Sequence, residues 1–133
     1  MAYKKKVFIS YDYDNDRHYK NLLLAWDAHT LFDFSLYDHS VDVSVNSTNA
    51  NYIKTVITRA IVDAPYFLVI VGRYTHSSAW VSWEIQKAAE QGRRIIAVKT
   101  DRENISPPAL FGIGASWAMS FTYNAIRSAI DNA

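Results

Sequence analysis

Cysteine is absent from this chain of 133 residues, which excludes a disulfide framework, a zinc–thiolate site and a cysteine nucleophile. Glycine is scarce at four residues, and none follows the first strand, where a phosphate-binding loop needs them so that backbone N–H groups approach the anion. No apolar stretch approaches the roughly 18 residues that cross a bilayer. The start is basic and then apolar, as in a signal peptide, but Val7-Phe8-Ile9 meets Asp12 too soon for a hydrophobic region of that kind. An excess of one charge is also missing. The net charge is +1, and the single basic run, Lys4-Lys5-Lys6, is too short for the concentrated basic face of a nucleic-acid binder. These absences predict a cytoplasmic location with neither nucleic acid nor membrane as partner.

Hydrophobic residues make up 50% of the chain and aromatics 14%, enough for one core. At this length about two thirds of the unfolded surface is buried on folding, so residues 1–133 are expected to form a single domain. Lys6–Tyr11 is short, β-branched and aromatic, as befits a central strand covered on both faces. Asp12–Asp16 is polar, with Asp14 or Asn15 as the expected cap of a helix running from Arg17 to about Thr30 on Tyr19, Leu22, Leu23 and Trp26. Phe32–Tyr37 alternates as a second strand does, and Asp38–Asn51 is long enough for a functional loop. A helical stripe of Ile53, Val56, Ile57, Ala60 and Ile61 follows, then Pro65 and the strand Tyr66–Val71. Arg94–Val98 is a fourth strand, Thr100–Gly114 is irregular, Trp117–Met119 is a brief strand, and Tyr123–Ile130 a closing helix. This alternation predicts an α/β fold with a parallel sheet and helices on both faces. Ligands in such sheets bind beyond the carboxyl ends of the strands, where the strand order reverses.

One helix on that edge carries a carboxylate among aromatics. In Ser78–Ala89, Val81, Ile85 and Ala88 recur as an apolar stripe, while Trp80 and Glu84, four apart, share a second face. Ser77 or Ser78 caps the start, and Gly92 suits the left-handed turn beyond the end. The ordinary role for Glu84 is a solvated helix acid beside packing tryptophans. Its position after the third strand favours function instead.

Several chemistries fail on residue type. The acids Asp12 and Asp14 suit the magnesium of a response-regulator receiver, but Val71-Gly72-Arg73-Tyr74 has no phosphoacceptor aspartate after strand three. His18, His29, His39 and His76 lack ligand spacing, so no metal site is expected. No G-x-S-x-G elbow is present. Cleavage of an N-glycosidic bond remains, because a carboxylate stabilises its oxocarbenium-like transition state and aromatic faces stack the departing base.

Val7-Phe8-Ile9-Ser10-Tyr11 with an acid behind it, Phe32-Asp33-Phe34-Ser35-Leu36-Tyr37, Phe67-Leu68-Val69-Ile70-Val71, Trp80-Val81-Ser82-Trp83-Glu84-Ile85 and Arg93-Arg94-Ile95-Ile96-Ala97-Val98 occur in this order from residue 4 to about 100. The set resembles a TIR domain, and most of all the stand-alone TIR-like proteins of the bacterial Thoeris antiphage defence system. The resemblance implies a flavodoxin-like, three-layer fold with a five-stranded parallel sheet. It also implies an NAD-cleaving enzyme that releases nicotinamide and forms a cyclic ADP-ribose-type messenger. NAD is then substrate, no cofactor is needed, and the partners are other TIR domains and a nucleotide-sensing effector reached through the messenger.

Residue by residue, the resemblance places the catalytic carboxylate at Glu84, with Trp80 and Ile85 matching its surroundings. Phe8 and Ser10, with Tyr11 next to them, match the strand end that lines the nucleotide pocket, and Ser35 and Tyr37 face the same cleft. Glu84 then holds the ribose hydroxyls and steadies the cation, with Phe8 and Trp80 packed around the ligand. The loop Asp38–Asn51 departs from the family in lacking the glycine and proline common in animal signalling TIR domains, and Thr100–Gly114 carries no family feature. Two rival readings are a non-catalytic TIR-like interaction module and an enzyme like the nucleoside deoxyribosyltransferases.

Overall fold

The computed structural model describes residues 5–27, 32–35 and 46–133. Within them β1 (Lys5–Ser10), α1 (Tyr13–Asp27), β2 (Phe32–Ser35), α2 (Thr48–Asp63), β3 (Tyr66–Val71), α3 (Ala79–Glu90), β4 (Arg94–Lys99), β5 (Ser116–Ala118) and α4 (Tyr123–Asp131) follow in order, with short 3-10 turns at Thr75–Ser77 and Pro108–Leu110. The strands form one sheet in the order β2-β1-β3-β4-β5, parallel at every pairing. That order is the flavodoxin-like one, and it reverses between β1 and β3.

The central strands are apolar on both faces because both faces are covered. Phe8, Phe67, Val69, Val71, Ile95 and Ala97 pack with Ile57 and Ile61 of α2 and Val81, Ile85 and Ala88 of α3. Val7, Ile9, Leu68, Ile70, Ile96 and Val98, their neighbours along each strand, pack with Leu23 of α1 and Ile126, Ala129 and Ile130 of α4. Side chains alternate faces with a period of two, so each strand supplies both cores at once. Phe8 stacks on Phe67 across the β1–β3 pair, with ring centroids 5.6 Å apart and planes 9° apart.

Several boundaries differ from the sequence expectation, each for a local reason. Helix α1 begins at Tyr13, and its entry is held by Asp12, which accepts from the Asp14 N–H at 3.2 Å and the Asn15 amide at 2.7 Å. The cap is therefore Asp12, not Asp14 or Asn15, because the chain turns directly off the strand end. Thr48–Asn51 belongs to α2, not to a loop. Ser47 Oγ accepts from the Ala50 N–H at 3.2 Å, and burial of Ala50 draws that first turn into the core. Strand β5 is Ser116–Ala118, one residue earlier than expected, because pairing with Ile96–Val98 turns Ala118 inward and leaves Met119 exposed. Gly92, Gly112 and Gly114 have positive φ, so the turns after α3 and before β5 use the conformation that only glycine adopts freely. Residues 36–45, and with them Tyr37, lie outside the described residues.

Candidate functional site at the β1–β3 switch point

Helix α3 starts where Ser78 Oγ accepts from the Val81 N–H at 3.2 Å. Val81, Ile85 and Ala88 are fully buried against the sheet, as the stripe requires. The second stripe is buried as well: Trp80 is 9% exposed and Glu84 2%. Helix α3 packs not only on the strands but also against α2 and the Pro108–Leu110 turn, so two of its faces are covered. Trp80 meets Trp83 edge-on, at 6.0 Å and 86°. The ammonium groups of Lys54 and Lys87 lie over the Trp83 ring at 5.6 and 5.8 Å, a cation–π contact that keeps that indole on the outer side of the pair.

Glu84 meets the end of β1. Ser10 Oγ donates to Glu84 Oε1 at 2.9 Å, and the bond is buried. An ionised carboxylate out of water is unfavourable unless it is paired, and one hydroxyl is weak pairing. Burial therefore pushes the Glu84 carboxyl from its usual 4.5 up to about 8, while the Ser10 hydrogen bond pulls in the opposite direction. At neutral pH the group is mostly the neutral acid, and an adjacent positive charge favours its ionised form. That behaviour suits a site where positive charge develops on substrate.

The other sequence candidates divide by face. Phe8 is fully buried two residues before Ser10, on the Glu84 side of the sheet, in one cluster with Trp80. Tyr11 falls on the opposite face with Leu23 and Ile9, and the Lys20 ammonium lies over its ring at 5.6 Å. The structure therefore does not bring Tyr11 to Glu84. Phe8 and Ser10 share one face of β1 by period-two alternation, and Tyr11, the residue after the strand, packs in the core on the other face. Ser35 ends β2, in register one strand away from Phe8.

A second buried carboxylate lies across the same switch point, and residue spacing did not single it out. Asp16 interrupts the helical dihedrals of α1, with φ −118° and ψ 15°, and turns inward to 3% exposure. Thr75 Oγ1, fully buried, sits against it at 3.2 Å. Burial raises the Asp16 carboxyl above its usual range, and the Thr75 hydroxyl opposes this. The sequence signal available was a threonine soon after β3 and an acid soon after β1. It resembles any polar turn until the sheet brings the two ends together.

A separate cleft of about 520 Å³ opens beyond β3 and β4, lined by Arg73, Tyr74, His76, Asp101, Glu103, Asn104 and Ile105. Its floor is stiffened by Asn104, whose amide donates to Val71 O and Thr100 Oγ1, each at 2.9 Å. Lys99 Nζ donates to Asn104 O at 2.9 Å. Glu84 is not among the residues lining this cleft. Among the described residues no group of three His, Cys, Asp or Glu side chains is placed to hold a metal ion, and no helix is long and apolar enough to cross a membrane.

Comparison with known proteins places this architecture. The chain is similar to the TIR domains of the activated Roq1 resistosome, which directly recognises the pathogen effector XopQ, with 19% identity and a TM-score of 0.50 over 77% of this chain. It spans 65% of the length of that Roq1 chain. It is also similar to the 2-deoxyribosyltransferase of the psychrotolerant bacterium Bacillus psychrosaccharolyticus, with 13% identity, a TM-score of 0.55, and coverage of 76% of this chain and 77% of the other. At these identities the likeness is one of fold. No curated protein matches the chain. A family model for the TIR-like domain of the Thoeris protein ThsB matches residues 8–105, a span that runs from Phe8 through Ser10, Asp16, Thr75 and Trp80 to Glu84 and β4. With most of its length and both halves of the switch point inside that match, the chain belongs to the TIR-like domain family of the Thoeris protein ThsB.

Proposed function

We propose that this TIR-like domain cleaves the bond between nicotinamide and ribose in NAD, with Glu84 as the catalytic carboxylate, and that its product is a cyclic ADP-ribose-type messenger. The observation that supports this reading is the buried Ser10–Glu84 pair at the reversal of the strand order. Nicotinamide in NAD is a cationic pyridinium. When the C1′–N bond breaks, its electron pair goes to the ring, nicotinamide leaves neutral, and the positive charge passes to the ribose. A carboxyl poised near pH 8 ionises beside such a charge, because an adjacent cation favours the charged form. It then stabilises the oxocarbenium ion and accepts hydrogen bonds from the ribose hydroxyls. Attack at C1′ by an adenine nitrogen closes the cyclic product with loss of one proton, whereas attack by water gives linear ADP-ribose.

Phe8 and Trp80 form the apolar wall beside the carboxyl, and exclusion of water from it strengthens each electrostatic contact made there. The family resemblance further assigns Ser35, at the end of β2, and Tyr37 to binding the substrate. In this reading the protein works in antiphage defence: its messenger activates a nucleotide-sensing effector, and association between TIR domains assembles the active form in the cytoplasm.

The test is nicotinamide release from NAD by the purified protein at high concentration, with and without lysate of phage-infected cells, beside a Glu84→Gln variant. Release that disappears in the variant supports the reading, and chromatography of the product separates cyclic from linear. A folded protein that releases no nicotinamide under either condition and binds no NAD refutes it in favour of an interaction module. A glycosyl ester trapped on Glu84 with free nucleosides refutes it in favour of deoxyribosyl transfer.

A further inference from the structure

Among the described residues the buried side-chain hydrogen bonds Ser10–Glu84 and Thr75–Asp16 both cross the switch point, and only the first enters the proposed chemistry. The Thr75 hydroxyl accepts from the Gly72 N–H at 2.8 Å and lies 3.2 Å from both Asp16 Oδ2 and Ile70 O, so its single proton is shared between two acceptors. Gly72 packs so closely on Asp16 that a Cβ there would overlap the carboxylate. The first turn of α1 is thereby fastened to the loop leaving β3. The same loop ends at Ser78, which caps α3, and α3 carries Glu84. The first turn of α1 also follows directly on β1, whose last residue is Ser10.

The chain therefore closes a loop in space. From Ser10 it runs to Asp16, across a hydrogen bond to Thr75, along the capped start of α3 to Glu84, and across a second hydrogen bond back to Ser10. A carboxylate is an unfavourable group to bury only for packing, since an apolar side chain of its size serves better there. Asp16 also leaves helical geometry to reach Thr75. We propose that Asp16 and Thr75 are positioning residues for the catalytic pair: the Thr75 hydroxyl, held between Gly72 and Asp16, sets where α3 begins and so holds Glu84 Oε1 on Ser10 Oγ. Asp16 and Thr75 act through the Ser10–Glu84 contact and touch no reacting atom. The proposal rests on the catalytic reading of Glu84 for its importance, but its test does not need turnover.

The test is the titration of the Glu84 side chain, followed by NMR of carboxyl-labelled glutamate. The chain has only Glu84, Glu90 and Glu103, and Glu84→Gln assigns the signal. Ser10→Ala removes a hydrogen bond to the ionised form, so the midpoint rises by about 0.5 to 1 pH unit. Thr75→Val is expected to move it in the same direction, to add nothing in the Ser10→Ala background, and to be reversed by Thr75→Ser. Asp16→Asn, which keeps shape and weakens the acceptor, is expected to give a smaller shift of the same sign. If NAD is cleaved, Thr75→Val lowers kcat about tenfold with KM little changed, as expected when geometry and not binding is lost. The proposal is overturned if folded Thr75→Val or Asp16→Asn leaves the Glu84 midpoint unmoved, or if Thr75→Val shifts it equally in the Ser10→Ala background. Glu84 moving as stated in a protein that does not cleave NAD supports the positioning and refutes only the catalytic reading.

Discussion

Replacing Glu84 by glutamine should make the protein's stability respond differently to pH, whatever the protein catalyses. In the folded state burial holds the carboxyl at about 8, against 4.5 when exposed. Between these values the folded state keeps a proton that the unfolded state has released. Stability changes with pH in proportion to the protons bound unfolded minus those bound folded, which here is negative. The contribution of Glu84 is thus fully present below pH 4.5 and is lost as pH rises towards 8. The loss amounts to about 1.4 kcal/mol per pH unit, or about 4 kcal/mol from pH 5 to pH 8, within a total of about 5–15 kcal/mol for a domain. Glutamine is close in shape to the neutral acid and does not titrate. Other groups, Asp16 among them, titrate alike in both proteins and cancel in the difference. Urea unfolding of the two proteins at each unit from pH 5 to pH 8 should show Glu84→Gln gaining steadily on the parent, by about 4 kcal/mol at the alkaline end, with equal m-values. A difference that stays flat across this range would refute the claim that burial keeps Glu84 neutral at pH 7.

Three further outcomes follow from the same geometry. If ionised Glu84 is the active form, kcat/KM for NAD rises with pH up to about 8 and then levels off, since that ratio reports the free enzyme; Ser10→Ala moves the rise to higher pH, and a pH-rate series checks both. Gly72→Ala forces a methyl group onto the Asp16 carboxylate and should destabilise by about 1–3 kcal/mol, whereas Gly92→Ala, with open space around its Cβ, meets only the strain of a positive φ and should lose about 1 kcal/mol; urea midpoints separate the two. Phe67→Ala removes the ring stacked on Phe8 from a fully packed site and should destabilise by about 3–5 kcal/mol, measured by thermal or urea unfolding.

The elements that were legible in the sequence are those decided by neighbours along the chain. Phe67–Val71 and Ile95–Val98 are continuous apolar runs, and Val81, Ile85 and Ala88 repeat at helical spacing; each lies in the expected element and is buried. Ser78 caps α3 as a serine before an apolar helix should. The boundary errors sit where a local pattern has two solutions. Asp12, Asp14 and Asn15 all suit a helix start, and only the folded turn shows that Asp12 accepts from the Asp14 N–H and the Asn15 amide. A polar run that looks like loop becomes helix at Thr48 because Ala50 has a core to enter.

The site divides in the same way. The sequence by itself determined that Glu84 shares a helical face with Trp80 and that this helix follows a buried strand, because period and composition are local properties. That Ser10 donates to Glu84 across 74 positions, and Thr75 to Asp16 across 59, was decided only when the parallel sheet set β1 beside β3. The same tertiary packing covered α3 on two faces, and that changed Glu84 from a helix acid of ordinary acidity into one held neutral near pH 7. A carboxylate's residue type says what it can do, while its desolvation, which belongs to the whole fold, sets when it is charged.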